Sequence, residues 1–109
     1  MNLDYEVNAK IFKALSDPNR LKIIDILSCG EKYACDILEN FEFTQPTLSH
    51  HMKVLIDCKL VKSRKEGLWN YYTLDNTSAN KLVLYLMNIV TETEDCICKS
   101  VEENKKCKE

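Results

Sequence analysis

The feature that most constrains the fold is a pair of apolar-striped segments, YACDILENF and TQPTLSHHMKVLIDC, separated by a brief turn. In the second segment, Leu48, Met52, Leu55 and Ile56 share one face of a helix, and the opposite face is polar. Two short helices joined by three or four residues, the second polar on its outer face, are typical of a helix-turn-helix unit that reads DNA. We therefore expect this unit at the centre of the chain.

Two further helices are predicted before this unit. The first spans about residues 5–15, and the second begins at Ser16 or Asp17, either of which can cap a helix. Gly30 is a natural left-handed stop for the second helix, and Thr44 is a plausible N-cap for the helix that follows the turn. On the first helix, Val7, Ile11, Ala14 and Leu15 share one face at helical spacing. On the second helix, the predicted buried stripe is Leu21, Ile24 and Leu27, with Ile23 beside them.

A β-hairpin and a final helix are predicted after the unit. The run LVKSRKEGLWNYYTL contains two strand-like segments around Glu66-Gly67. A helix over residues 77–94 carries a long apolar stripe, which a second copy of the chain would most simply cover. The order of elements predicts a mainly α, winged helix-turn-helix fold that forms a homodimer through its N- and C-terminal helices. The alternative is an all-helical domain with an incidental hairpin.

Length and charge narrow the class of protein. The chain has 109 residues and a net charge of −2, which fits one domain; we expect that domain over residues 1–94 and a Cys-rich tail over 95–109. Residues 44–72 hold five Lys or Arg against two acidic residues, a local net charge of +3 that suits DNA contact. The sequence shows neither a secretory signal nor an apolar run long enough for a membrane span. We therefore expect a cytoplasmic protein.

The cysteines do not fit a disulfide framework. The chain has six, and in a reducing cytoplasm such a number indicates metal binding or redox sensing. Cys29 and Cys58 could equally be plain core residues. Cys96, Cys98 and Cys107 lie in a tail with few apolar residues but many Lys and Glu, so burial does not explain them.

These residues resemble the ArsR/SmtB family of metal-responsive repressors, and most closely the arsenical-resistance repressors. The segments that carry the resemblance are ALSDPNRLKIIDILSCGE, ACDIL, FTQPTLSHHMKVLIDCKLV and KEGLWNYYTL. It covers about residues 7–98. The resemblance implies a winged-helix homodimer that binds operator DNA when metal-free and leaves it when thiophilic ions bind.

The resemblance also assigns DNA-contacting residues. Base edges in the major groove would be met by Gln45, Thr47, Ser49 and His50. Phosphates would be held by Lys53, Lys62, Arg64 and Lys65, with Thr44 at the start of the same helix included in the interface. His50 and His51 point about 100° apart on a helix and cannot chelate one ion together, so we expect a packing role for His51.

The metal site departs from the family pattern. Arsenic-sensing relatives carry a CxCDL motif, but here Tyr33 replaces the first cysteine and Cys35 matches the second. A trivalent arsenic or antimony ion prefers three thiolates. We expect either a tail site made by Cys96, Cys98 and Cys107, or a mixed site of Cys35 with Cys96 and Cys98. The inducer would be As(III) or Sb(III), with cadmium and lead as alternatives; zinc and nickel are disfavoured because the last helix has no histidine. No cofactor is expected for DNA binding.

Two other functions remain open from sequence. One is a thiol-redox or sulfide-sensing repressor of the same fold, in which Cys35 and the tail cysteines would form the oxidised link. The other is a thiol metal carrier or oxidoreductase. No βαβ pattern surrounds the cysteines and no glycine-rich phosphate loop occurs, so the sequence favours a protein without enzymatic activity.

Overall fold

The computed structural model describes residues 4–91, and the three tail cysteines and the predicted 94/95 domain boundary lie outside that range. The winged helix-turn-helix prediction is confirmed. In chain order the elements are α1 Tyr5–Ala14, α2 Pro18–Leu27, β1 Lys32–Tyr33, α3 Ala34–Leu38, α4 Gln45–Asp57, β2 Val61–Glu66, β3 Trp69–Leu74 and α5 Asn76–Val90.

Aspartates begin three of the helices. Asp4, Asp17 and Asp75 each accept a hydrogen bond from a backbone amide of the first helical turn. Such caps satisfy amides that have no partner within the helix. Of the two candidates for the start of α2, the structure selects Asp17, with Pro18 as the first helical residue. The capping hydrogen bonds lower the pKa of Asp17, although its partial desolvation, the largest single contribution, opposes this.

The core lies where α2, α3 and α4 meet the sheet. Its fully buried side chains are contributed by every element from α2 to β2 except β1. They are Ile23, Leu27, Ile37, Leu48, Met52, Leu55 and Val61. Leu82, in the N-terminal half of α5, also belongs to this cluster and packs that half of the helix against the domain.

The sheet has three antiparallel strands in the order β1-β3-β2. The predicted hairpin is confirmed, with Val61 opposite Leu74 and Glu66 opposite Trp69. Gly67, at φ +64°, occupies the first central position of its two-residue loop, which a type II′ turn reserves for glycine. The third strand, β1, was not predicted, because two residues show no periodicity and its pairing with β3 is a tertiary contact.

Two predicted boundaries differ from the structure. The helix predicted to reach residue 94 ends at Val90, where Thr91 adopts an extended backbone; a β-branched threonine favours that conformation over a helix. The connection between α3 and α4 covers residues 39–44 rather than three or four residues. It is longer because the Asn40 side chain donates to the carbonyls of Asp36 and Ile37 and so ends α3 early. Within residues 4–91 there is no helix with the length and apolar character needed to cross a bilayer.

Candidate nucleic-acid interface

Helix α4 has two sharply divided faces. Leu48, His51, Met52 and Leu55 are buried, and at about 100° per residue they occupy one continuous arc of the helix. Every predicted DNA contact on this helix is solvent-exposed: Thr44, Gln45, Thr47, Ser49, His50 and Lys53. The structure therefore places the predicted contacts together on one open surface that faces away from the core.

The start of α4 is open to solvent. Thr44 is at the N-cap position as predicted, but its side chain makes no capping hydrogen bond. Its hydroxyl instead lies 3.5 Å from the hydroxyl of Thr47. Pro46 is in the first turn, where its missing N–H costs no helical hydrogen bond.

The turn before α4 is fastened to α2. The rings of Phe41 and Phe43 are stacked with centroids 4.5 Å apart. The ammonium of Lys22 lies 5.0 Å from the Phe41 ring centroid and donates to the carbonyl of Asn40 at 2.9 Å. These contacts fix the approach of the chain to α4, and so the position of its exposed face.

The basic residues of the wing differ in how much of their charge is available. Lys62 and Lys65 are exposed, and neither takes part in the ion pairs found within residues 4–91. Arg64 is exposed too, but it donates to both carboxylate oxygens of Glu31, at 2.8 and 2.9 Å, and to Glu66 at 2.5 Å. These hydrogen bonds raise the pKa of Arg64, and the bond from Arg64 lowers the pKa of Glu31.

Arg64 also packs against the sheet. Its guanidinium carbon lies 4.5 Å from the centroid of the Tyr71 ring, within the range of a cation–π contact. Thr73 adds a hydrogen bond to the same Glu31 carboxylate at 3.3 Å. Sequence reasoning missed this cluster, because Glu31 is 33 positions from Arg64 and no local pattern connects them.

The two histidines of α4 have different surroundings. His50 is exposed, whereas the side chain of His51 is 7% exposed, as expected for a packing role. Their ring centroids are 5.9 Å apart. The Nδ1 atom of His51 lies 3.0 Å from Nη1 of Arg20, a contact that the sequence did not reveal.

An apolar surface runs along α5 and onto α1. Its exposed side chains are Tyr5, Val7, Val83, Leu84, Leu86, Met87, Ile89 and Val90. Beside it, a groove of about 990 Å³ lies between α1, α5 and the C-terminal end of α4. A concentration of exposed apolar side chains on two helices indicates an interaction surface.

The described cysteines are separated from one another. Cys29 and Cys35 are exposed and Cys58 is half-buried, so a plain core role does not describe Cys29. Within residues 4–91 no group of three His, Cys, Asp or Glu side chains could hold a metal ion. A trithiolate site therefore cannot be built from this part of the chain alone.

Cys35 nevertheless has an unusual neighbour. It follows Tyr33 by two residues at the start of α3, and the Cys35 thiol is the main cause that raises the pKa of the Tyr33 phenol to about 12. The Tyr33 ring also meets Trp69 edge-on, with centroids 4.7 Å apart. The residue that replaces a cysteine of the family motif thus interacts electrostatically with the remaining thiol.

Several known proteins are similar to this chain in sequence or fold. The chain is 47% identical over 100 residues to the arsenical resistance operon repressor of Staphylococcus aureus, covering 92% of this chain and 96% of that protein. It is 45% identical over 76 residues to the cadmium resistance regulatory protein CadC homolog of the same species, covering 69% of this chain and 63% of that protein. A homodimeric winged helix-turn-helix DNA-binding domain from Mycobacterium bovis, a possible ArsR-family regulator, superposes with a TM-score of 0.65 at 28% identity, covering 76% of this chain and 78% of that one.

Residues 17–63, from α2 into β2, match the profile of a family described as bacterial regulatory protein, arsR family. The alignment with the Staphylococcus aureus repressor extends over nearly the whole chain. The chain therefore belongs to the arsR family of bacterial regulatory proteins.

Proposed function

We propose that this chain is a homodimeric, operator-binding repressor of a metal(loid) resistance operon, and that a thiophilic ion releases it from DNA. The observation that carries the DNA-binding part is the division of α4 into a buried apolar face and an exposed polar face. The 47% identity of the chain to an arsenical resistance operon repressor supports the proposal that the regulated operon confers metal(loid) resistance. A repressor of this kind would act in the cytoplasm and would not be an enzyme; the names of the relatives, a repressor and a regulatory protein, support the second point.

In this proposal α4 enters the major groove. Gln45, Thr47, Ser49 and His50 meet base edges, because amide, hydroxyl and imidazole groups can donate and accept hydrogen bonds there. Thr44 and Lys53 lie beside the backbone at the two ends of this surface. Their contacts orient the helix and carry no sequence information.

The wing would hold phosphates through Lys62 and Lys65, whose ammonium groups are exposed. Arg64 would join them only by exchanging the carboxylates of Glu31 and Glu66 for a phosphate. Its contribution to DNA affinity would therefore be smaller than that of an arginine without an ion pair in the free protein.

A second copy of the chain would cover the apolar surface on α1 and α5. Six exposed apolar side chains on α5 alone exceed what a monomeric helix usually presents to water. Two-fold symmetry would then place two α4 helices about 34–36 Å apart, one turn of DNA, over a pseudo-palindromic site. The homodimeric state of the Mycobacterium bovis relative supports this arrangement.

The inducer would be held by thiolates. The candidate ligands remain Cys96, Cys98 and Cys107, or Cys35 with Cys96 and Cys98. Cys35 is exposed and therefore accessible to a mixed site. As(III) and Sb(III) prefer three soft ligands, and Cd²⁺ and Pb²⁺ also accept thiolates. Release requires that the ion bind the DNA-incompetent state more tightly than the competent one, typically by about 1–3 kcal/mol.

The test is operator release by these ions. A duplex selected from a random-sequence library by the metal-free full chain is labelled and its binding followed by fluorescence anisotropy as arsenite, antimonite, cadmium or lead is added. We expect release of the wild type by at least one of these ions and no release when Cys96, Cys98 and Cys107 are all replaced by serine. Loss of release in Cys35→Ser as well assigns the mixed site; retention assigns the tail site.

Cys29→Ser is the matched control, since it removes an exposed thiol that belongs to neither proposed site. It should behave as the wild type does. Continued release of the triple serine variant would contradict both ligand sets.

A further inference from the structure

His51 is the one polar or charged side chain that the structure buries within residues 4–91. It lies on the inner face of α4, next in sequence to His50, whose ring is exposed. Its ring therefore does not take part in the proposed contacts with bases. A buried imidazole requires a hydrogen-bonding partner, and the partner identifies what this residue does.

Arg20 is that partner. Its Nη1 lies 3.0 Å from Nδ1 of His51, and its Nε donates to the carbonyl of Ala14, the last residue of α1, at 2.5 Å. Arginine can only donate, so Nδ1 must accept and the proton of the neutral ring must be on Nε2. One guanidinium group therefore joins the end of α1 to the buried face of α4; we call this contact the Arg20–His51 bridge.

The surroundings of the His51 ring favour its neutral form. Burial is the main cause that lowers the pKa of His51, and Arg20 and His50 lower it further. Asp17, at the N-cap of α2, acts in the opposite direction. Phe43, from the turn before α4, contributes an uncharged ring at 5.4 Å.

We propose that the Arg20–His51 bridge positions α4 for DNA reading, and that protonation of His51 opens it and weakens operator binding. A protonated ring has a donor at both nitrogens, so Nδ1 no longer accepts from Arg20. Two cations would then face each other at 3.0 Å, and Arg20 would retain only its contact with α1. Arg20 acts through His51 and is a positioning residue.

The direction of the pH effect follows from linkage. Because the folded protein lowers the pKa of His51 below its ordinary value of 6.5, the open form binds the proton more readily than the closed form. The bridge is intact above about pH 6.5 and is lost as pH falls through the lowered value.

The two histidines can be separated because the chain has no others. His50→Gln leaves only His51 to titrate as a histidine, and His51→Gln leaves only His50, while a glutamine oxygen can still accept from Arg20. Operator affinity of the full-length chain is measured at constant ionic strength from pH 7.5 to pH 5.5. We expect affinity of the His50→Gln variant to fall by about tenfold, within the range of roughly 5–150-fold for coupled sites, and affinity of the His51→Gln variant not to fall. A fall in His51→Gln, or none in His50→Gln, would overturn the proposal.

Substitutions of Arg20 provide a second, independent test of the bridge. Arg20→Met removes both hydrogen bonds, so we expect weaker operator binding at pH 7.5 that no longer falls on acidification, while circular dichroism shows an intact helical fold. Arg20→Lys keeps a donor and should recover part of the affinity. An Arg20→Met variant with the affinity and pH profile of the wild type would also overturn the proposal.

The inference rests on the proposed DNA-reading role of α4, and one measurement is independent of DNA. The ¹⁵N shifts of the His51 ring in the protein alone should show an unprotonated Nδ1 at pH 7.5. If they do and no duplex is bound at any pH, the proposed function fails. If duplexes are bound but Nδ1 carries the proton, the bridge fails.

Discussion

Arg64 shows how ion pairs within the protein can occupy a side chain that sequence alone would assign to DNA contact. From sequence it is one of three basic wing residues, but in the structure two carboxylates and an aromatic ring surround it. Glu31 accepts two of the hydrogen bonds that Arg64 donates to carboxylates, and Glu66 accepts one. Whether Arg64 moves to phosphate on DNA binding can be measured by removing this competitor.

For Glu31→Gln we expect tighter binding to every duplex and a steeper salt dependence. A freed Arg64 that reaches one phosphate would change the slope of log K against log salt by about −0.9. Glu39→Gln is the matched control, since it removes the same charge from an exposed side chain that takes part in neither Arg64 ion pair. Equal slopes for Glu31→Gln, Glu39→Gln and the wild type would show that Arg64 remains on the sheet.

Lys62 and Gln45 should differ in what they contribute. Lys62→Ala removes a phosphate contact, so it should weaken binding to operator and shuffled duplex by the same factor and flatten the salt slope by about 0.9. Gln45→Ala removes a contact with a base edge, so it should weaken operator binding alone, by about 1–3 kcal/mol. The two variants are controls for each other in paired titrations. Equal losses on the shuffled duplex would contradict the assignment of Gln45.

Among the secondary-structure elements, α4 was predicted best. Its expected start at Thr44 matches the structure, and of its four predicted apolar positions Leu48, Met52 and Leu55 are buried while Ile56 is half-buried. A strong apolar period and a proline near the start define the helix locally. The strand β1 and the contacts of Arg64 with Glu31 and of Arg20 with His51 were not predicted. Each connects residues more than 30 positions apart, and the pattern along a single segment contains no information about such pairs.

The end of α4 offers a test of backbone strain. Lys59 has φ +70°. Its N–H donates to the carbonyl of Ile56 at 2.9 Å, and the N–H of Leu60 donates to the carbonyl of Leu55 at 3.1 Å. This is a Schellman motif in which a lysine occupies the position that glycine usually takes. The left-handed conformation costs a side-chain-bearing residue roughly 1–2 kcal/mol.

Lys59→Gly should therefore raise the free energy of unfolding, measured by urea denaturation. We expect a gain of about 0.5–1 kcal/mol, because the greater flexibility of glycine in the unfolded chain offsets part of the relieved strain. Lys59→Ala removes the same charge but keeps the strain, so it should give no comparable gain. If the alanine variant were as stable as the glycine variant, strain at this position would not be the cause.

For the molecule as a whole, the proposed DNA reading and the proposed dimer formation would depend on different elements. The proposed DNA-facing residues are on α4 and the wing, while the exposed apolar side chains are on α1 and α5. The long apolar stripe of α5 and its need for a partner were evident from sequence. The groove beside it was not, because its walls come from four helices, α1, α2, α4 and α5, that are separated in the chain.

Leu86→Glu should separate folding from assembly. Leu86 is 44% exposed in the single chain, so a charge there is tolerated in the monomer but would be buried in the proposed dimer. We expect sedimentation to show a monomer, circular dichroism to show a folded chain, and operator affinity to fall. Asn80→Glu places the same charge at an exposed position on α5 outside the apolar surface and should remain dimeric. A dimeric Leu86→Glu variant would show that the subunits meet elsewhere.

The most direct measurement is selection of duplexes from a random-sequence library by the metal-free full chain, followed by sequencing and titration. The account predicts a pseudo-palindromic sequence whose half-sites are about 10–10.5 base pairs apart, or a multiple of that spacing. Two chains should bind each duplex, at least about 10³-fold more tightly than a shuffled one. Failure to enrich any sequence, or equal affinity for the selected and shuffled duplexes, would contradict the assignment of α4 as a DNA-reading helix.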